Sequence, residues 1–437
     1  VHSRDSVRFV KRLLERVDVD GLVLVPIRPK ALNDEEAFVG DYDFLASEEA
    51  IIPLLQTLFD MAAAECLNFT VNQTKFGKTK LSIYDSVDSR SITVEIWTHL
   101  EVKERGCLRY IFYEDIEPHI RKEPCGAYAF GPEIEALYYL SHLKTKSKNL
   151  VAVEVQARLA YYKATVQDQV DLVALYERLQ RDTTLRDEIA TCANHILMEK
   201  CILFCKRNTE KRARAFRRYR AAKQWRLYSR WLRLLRITPV LGPDGVGKTS
   251  LIKALKRKTR SRVYYYRFKK LFRHNWIYQF SRAVLKRRLP KTFQKNQYDD
   301  IYGKWLLTIA RFRYPLLVVL SLVTRRFYFC DRFFHDLLIE NARFQHKEAG
   351  LRSNWEHLLR KTPGTFWLIQ LDAPNTVILS RKQELTEQAI DAYRSSIFEM
   401  YLEKPSVVYS YVSTALPLEQ CSAALTHSAA SLGVKPL

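Results

Sequence analysis

Apolar positions recur every three to four residues from Ser6 to Val17 (Val7, Phe9, Val10, Leu13, Leu14, Val17), which predicts an amphipathic helix. A short apolar run, Gly21 to Ile27, predicts a strand. A polar loop, Arg28 to Val39, then leads into Gly40-Asp41-Tyr42-Asp43-Phe44-Leu45. Glu48 to Cys66 is again helical. Phe69 to Asp85 and Ser91 to Thr98 alternate as antiparallel strands do. The expectation for residues 1–130 is an α+β domain. From Pro132 to Cys205 the periodicity is mainly helical, so 131–205 is expected to be a helical extension.

Lys206 to Arg236 breaks this pattern. Its only acid is Glu210, and Phe216, Tyr219, Trp225, Tyr228, Trp231, Leu232 and Leu235 are interleaved with the cations. It is expected to be a basic linker helix between domains. Beyond it, apolar strands at Ile237–Leu241, Arg326–Asp331, Thr365–Asp372 and Ser406–Tyr411 alternate with helical stretches. That order predicts an α/β domain over 237–437 with a doubly wound parallel sheet. A basic and aromatic region, Lys256 to Arg313, lies between the first two of these strands.

Composition adds a partner class. The 437 residues carry a formal net charge of +23 and a pI near 9.6, a surplus that attracts nucleotides, phosphorylated substrates, acidic lipid or nucleic acid. With 47% apolar residues and only 13 Gly and 15 Pro, the chain can build ordinary cores. Eight scattered cysteines include no CxxC pair, which points to reduced thiols and away from a zinc site. The longest apolar run, Tyr314-Pro-Leu-Leu-Val-Val-Leu-Ser-Leu-Val323, is far short of a membrane span and reads as a buried helix leading into a strand. The first residues lack a secretory-signal pattern. The expected location is the cytoplasm, with peripheral membrane contact through 206–236 as a further option.

One motif carries most of the chemistry. Gly242-Pro243-Asp244-Gly245-Val246-Gly247-Lys248-Thr249 fits G-x-x-x-x-G-K-[ST] without a mismatch, between an apolar strand and a helix that continues through Ser250. The glycines let backbone N–H groups curl around phosphate oxygens, and the helix N-terminus adds positive potential. Lys248 is expected to reach the β- and γ-phosphates of ATP, and the Thr249 hydroxyl to ligate Mg²⁺. Asp331 ends the next long strand, where it would hold Mg²⁺ or accept a proton, with Arg332 holding an anionic group. His335, Asp336 and Arg343 follow. Arg381 and Lys382 come a helix length after Asp372 and could neutralise the moving phosphoryl group, with Arg394 as a second candidate.

These residues together resemble the thymidylate kinase-like branch of P-loop kinases. The loop Gly242-Pro-Asp244-Gly-Val-Gly-Lys-Thr249, Asp331-Arg332-Phe333, and the pair Arg381-Lys382 match that branch's loop, Asp-Arg-Tyr segment and basic lid. More narrowly, Asp331-Arg-Phe-Phe-His-Asp336 and Arg381-Lys-Gln-Glu-Leu385 are similar to segments of bacterial two-domain proteins often associated with polysaccharide biosynthesis. The resemblance implies γ-phosphoryl transfer from ATP to a nucleotide-like or sugar-like acceptor.

In the first domain, Asp41 and Asp43 look like the Asp-x-Asp of nucleotidyltransferase folds, with Glu95 of Ile92-Thr-Val-Glu-Ile-Trp97 as a third carboxylate. Three acids would hold Mg²⁺ on a nucleoside triphosphate. The alternative functions are therefore nucleotidyl transfer by that domain, or a nucleotide-gated protein that docks on anionic membrane or nucleic acid.

Overall fold

A computed structural model of the chain describes residues 3–27, 41–75, 77–84, 91–104, 107–123, 128–146, 148–166, 169–202, 234–258, 263–268, 312–336, 365–382, 385–403 and 408–431, with isolated positions at 220, 224, 227, 228, 230, 231 and 283. Gly40, Arg343, most of the 206–236 segment and most of the 256–313 region lie outside the described residues. The chain forms two compact units. The first comprises Val1–Leu58, Lys75–Thr79 and Thr93–Lys223; the second comprises Phe59–Thr74, Lys80–Ile92 and Gln224–Leu437.

In the first unit, the helix Ser3–Val19 buries Phe9, Leu13 and Val17, the spacing of one helix face. The apolar run at Gly21–Ile27 yields only a two-residue strand, Val25–Pro26, antiparallel to Asp41–Leu45. Asp41–Leu45 pairs on its other side with Thr93–Trp97, and that pairing is parallel. Four helices, Pro132–Thr145, Val153–Thr165, Val170–Arg181 and Arg186–Ile202, bring Leu137, Leu140, Leu159, Tyr176 and Leu197 into one core. Buried Glu135 is kept hydrogen-bonded there by the Tyr162 hydroxyl, which donates to it at 2.5 Å.

The second unit is a mixed α/β assembly around a mostly parallel sheet. Five parallel strands lie in the spatial order Val263–Arg267, Phe327–Asp331, Ile237–Leu241, Trp367–Asp372, Val408–Ser413. In chain order these are the second, third, first, fourth and fifth. The order therefore reverses at Ile237–Leu241, and such switch points open a crevice at the carboxyl ends of the strands. Sequence periodicity missed Val263–Arg267, which lies within the basic stretch, because Tyr264-Tyr265-Tyr266 interrupts no charge pattern clearly enough to mark a strand.

Three adjacent strands are buried on both faces. All five residues of Ile237–Leu241, all six of Trp367–Asp372 and all six of Val408–Ser413 are buried. Parallel strands covered on both faces read as continuous apolar runs for this reason. Their polar members are paired internally. Trp367 Nε1 donates to Ser410 Oγ at 2.8 Å, and the Tyr409 hydroxyl donates to Gln370 Oε1 at 2.7 Å. The helices Lys248–Lys258 and Leu418–Ser431 add Leu251, Ile252, Leu255, Cys421, Leu425 and Ala429 to the core.

An N-terminal segment completes this sheet. Asn68–Lys75 runs antiparallel to Val408–Ser413, with Phe69 opposite Tyr411 and Asn72 opposite Val408. Asn68 Oδ1 accepts the Ser413 N–H at 2.7 Å, and the Thr70 hydroxyl sits 2.9 Å from both the Ser410 and Ser428 hydroxyls. The alternation of Phe69–Asp85 marks strands but not their partner, which lies more than three hundred residues away in the chain. Cys66, Cys192, Cys201, Cys330 and Cys421 are free thiols.

Candidate functional site

The loop Gly242–Gly247 leaves the strand at the switch point. Gly242, Gly245 and Gly247 all have positive φ (148°, 94° and 96°), a region that side chains disfavour. At Gly242 a Cβ would lie 2.5 Å from the Leu371 carbonyl oxygen and 2.9 Å from Val246 Cγ1. At Gly245 it would meet Lys382 Cβ at 3.0 Å. Val246 is fully buried and anchors the loop in the core, while Thr249 and Ser250 are exposed at the start of the helix. Gly242→Ala should lower the melting temperature by the equivalent of about 1–3 kcal/mol and weaken nucleotide binding, read by thermal melts with and without ATP. An unchanged melt and affinity would show that the loop tolerates the methyl.

Lys248 is almost fully buried and donates to the Gly242 and Pro243 carbonyls at 2.6 and 3.0 Å. Burial pushes its pKa down, against the pull of Asp336 and Asp244. The Thr249 hydroxyl donates to Asp331 Oδ2 at 3.1 Å. The same carboxylate oxygen accepts the Tyr265 hydroxyl at 2.6 Å. Tyr265 was not legible as a site residue, since its strand was not.

Asp244 is the hub of the loop's electrostatics. Arg332 Nη2 donates to both its carboxylate oxygens at 2.8 and 2.7 Å, and Lys248 and Lys382 lie 3.5 and 3.6 Å away. Burial alone would raise the Asp244 pKa, but Arg332, Lys248 and Lys382 outweigh it and hold the carboxyl below its usual range. Arg332, Lys248 and Lys382 all lie within 3.6 Å of this carboxylate, and cations so placed beside the loop suit polyphosphate. Arg332 has φ 69°, unusual for a residue with a side chain. Strain of this kind is concentrated at functional sites.

Arg381 turns elsewhere. Its guanidinium donates to Thr414 Oγ1 and to the Thr414 carbonyl at 3.4 and 2.9 Å. Arg394 is drawn into a network with Asp372, Asn375 and Asp391, and Tyr411 donates to Asp372 Oδ2 at 2.8 Å. So Lys248, Thr249, Asp331, Arg332 and Lys382 converge on the loop, and Arg381 and Arg394 are engaged by other groups.

Asp336 is buried. It accepts the Phe333 N–H at 2.7 Å and the Tyr393 hydroxyl. Burial pushes its pKa up to about 6, against the pull of Lys248 and Arg332. A raised carboxyl pKa favours the neutral folded form, so the stability it contributes is full below the ordinary value of 3.8 and is lost as pH rises through about 6. Asp336→Asn should therefore gain in melting temperature relative to wild type as pH rises through that range. A constant difference at every pH would refute this.

In the first unit, Asp43 lies beside Glu95 in the parallel register, and Asp41 beside Thr93. Lys78 pairs with Glu95 at 2.5 Å, and Trp97 Nε1 donates to Asp43 Oδ1 at 3.4 Å. Among the described residues, no group of three or more His, Cys, Asp or Glu side chains is placed to hold a metal ion.

No protein-family model matches the chain, and no curated protein matches it. Among solved structures it is similar to thymidylate kinase from Ehrlichia chaffeensis, at 14% identity and a TM-score of 0.29, over 45% of this chain and 97% of that one. A likeness of this size says nothing about substrate.

Proposed function

We propose that the second unit is an ATP-dependent P-loop phosphotransferase acting on a nucleotide-like or sugar-like acceptor. The observation that carries this reading is the convergence of Lys248, Thr249, Asp331 and Arg332 on one glycine loop at the sheet's switch point. The loop's N–H groups and Lys248 would bind the β- and γ-phosphates. The oxygen donors of Thr249 and Asp331 face each other and suit a hard divalent cation. Thr249 and Asp331 would hold a Mg²⁺, which when bound would supply charge neutralisation. Arg332, tethered to Asp244, orients an anionic acceptor group, and Lys382 sits close enough to the loop to offset charge on the transferring group.

The test is ADP release from Mg-ATP with dTMP, other nucleoside monophosphates, sugars and sugar phosphates, with Lys248→Ala as control. ADP that depends on one acceptor class and vanishes in the variant is the expected result. If no acceptor raises ADP above the variant's background, the phosphotransferase reading fails. A second reading, nucleotidyl transfer by the first unit, draws on the Asp43–Glu95 pairing. Pyrophosphate release that Asp43→Ala leaves unchanged would dismiss it.

A further inference from the structure

Exposed large apolar side chains are concentrated in two short stretches of the second unit. Leu227, Tyr228, Trp231 and Leu234 are 37–61% exposed, and Phe312, Leu316, Val319, Leu320, Leu322 and Val323 are 44–80% exposed. Residues 312–324 are helical. Tyr314, Leu317 and Ser321 on one side of that helix are buried, and the exposed residues recur at the helical period on the other. The run that reads in sequence as a buried helix is therefore apolar on both faces, with one face open.

The two stretches are neighbours. Arg236 donates to the Arg325 carbonyl and stacks 5.5 Å over the Phe327 ring. Leu227, Trp231 and Leu234 fall on one stripe at the same helical spacing. Exposed Arg230 lies within the first stretch, and exposed Arg325 and Arg326 close the second.

We propose that these two stretches form one surface that docks on an anionic lipid bilayer. Apolar and Trp/Tyr side chains facing outward beside arginines match the acyl-headgroup boundary, where the rings and aliphatic groups enter and the guanidinium groups meet lipid phosphate. With Tyr314, Leu317 and Ser321 buried on one side and Leu316, Val319, Leu320 and Val323 exposed on the other, the helical residues 312–324 suit a helix lying in the surface plane. Among the described residues, no helix is long and apolar enough to cross a membrane. The net charge of +23 supplies the long-range attraction. Docking would leave the glycine loop's own chemistry unchanged, and the inference does not depend on the phosphotransferase reading.

The experiment is co-sedimentation of the full chain with vesicles of phosphatidylcholine alone and of phosphatidylcholine mixed with phosphatidylserine. Binding is expected only to the anionic vesicles, weakening as salt rises. Arg325→Ala with Arg326→Ala should weaken it about 30-fold, two charges at the surface. Leu316→Glu with Val319→Glu should weaken it at least about tenfold, and both positions are exposed enough for the variant to fold, checked by its melt. Trp231→Ala tests the second stretch independently. Val153→Glu, an exposed apolar residue of the first unit, should leave binding unchanged. No binding to anionic vesicles at low salt overturns the proposal. So does vesicle binding indifferent to all three patch variants, a patch variant that shifts self-association but not vesicle binding, or tight RNA binding without vesicle binding.

Discussion

Asp331→Asn should lower Mg-ATP-dependent ADP formation by about 10²–10³-fold while leaving the fold intact. The side chain ends a buried strand, and one oxygen accepts both the Thr249 and Tyr265 hydroxyls. An amide of the same shape can still accept those hydrogen bonds, so local packing has little reason to change. What it loses is the negative charge that a hard divalent cation requires. Two measurements separate the roles. ATP affinity in EDTA should be close to wild type in the variant, whereas the gain in affinity on adding Mg²⁺ should shrink. Tyr265→Phe removes a hydroxyl but no charge and should cost far less. Wild-type turnover in Asp331→Asn would remove Asp331 from the metal-binding proposal and, with it, the pairing of Thr249 and Asp331 as the centre of the site.

The parts of this site that were legible in sequence are those written locally. The glycine loop needs a fixed spacing, because each positive-φ position and the lysine act within eight residues. Asp331 was legible because an acid at the end of an apolar strand has few other reasons to be there. Tyr265 was not legible. It lies in a strand surrounded by basic residues, and only the register with Phe327–Asp331 brings its hydroxyl to the carboxylate. Arg381 and Lys382 are adjacent in sequence and equivalent by charge. Yet the end of the helix Asn375–Arg381 separates them, sending one toward Thr414 and the other toward Asp244. Backbone direction at a helix terminus decides between them, and charge patterning does not encode it. The apolar run at 314–323 was legible as a helix but not as an open face, since hydrophobicity alone does not say what covers it.

A chain beginning at Ile237, the boundary that local periodicity suggests, should fail to fold into a nucleotide-binding unit. It would lack Asn68–Lys75, leaving the Val408–Ser413 strand with an open edge of unpaired backbone groups. It would also lose side chains that close the core. Phe59 stacks on Phe398 with ring centroids 4.2 Å apart, and Phe69 stacks on Tyr411 at 5.4 Å. Phe59, Ala62, Phe69, Val71, Leu81 and Ile83 are all buried and all belong to the second unit. At about 1.5–3 kcal/mol for each fully buried large apolar side chain, their loss is on the order of 10 kcal/mol, comparable with the whole stability of an ordinary domain. Ser410 and Ser428 would also lose Thr70, and the Ser413 N–H would lose Asn68. Tyr411, whose hydroxyl donates to Asp372, would lose the Phe69 ring stacked on it. Near-ultraviolet circular dichroism and ATP binding should both be lost in the truncated chain. Adding residues 59–92 through a flexible linker should restore them, because those residues supply the missing strand and its packing. A truncated chain that melts cooperatively and binds ATP as the full chain does would show that the sheet closes without its N-terminal strand.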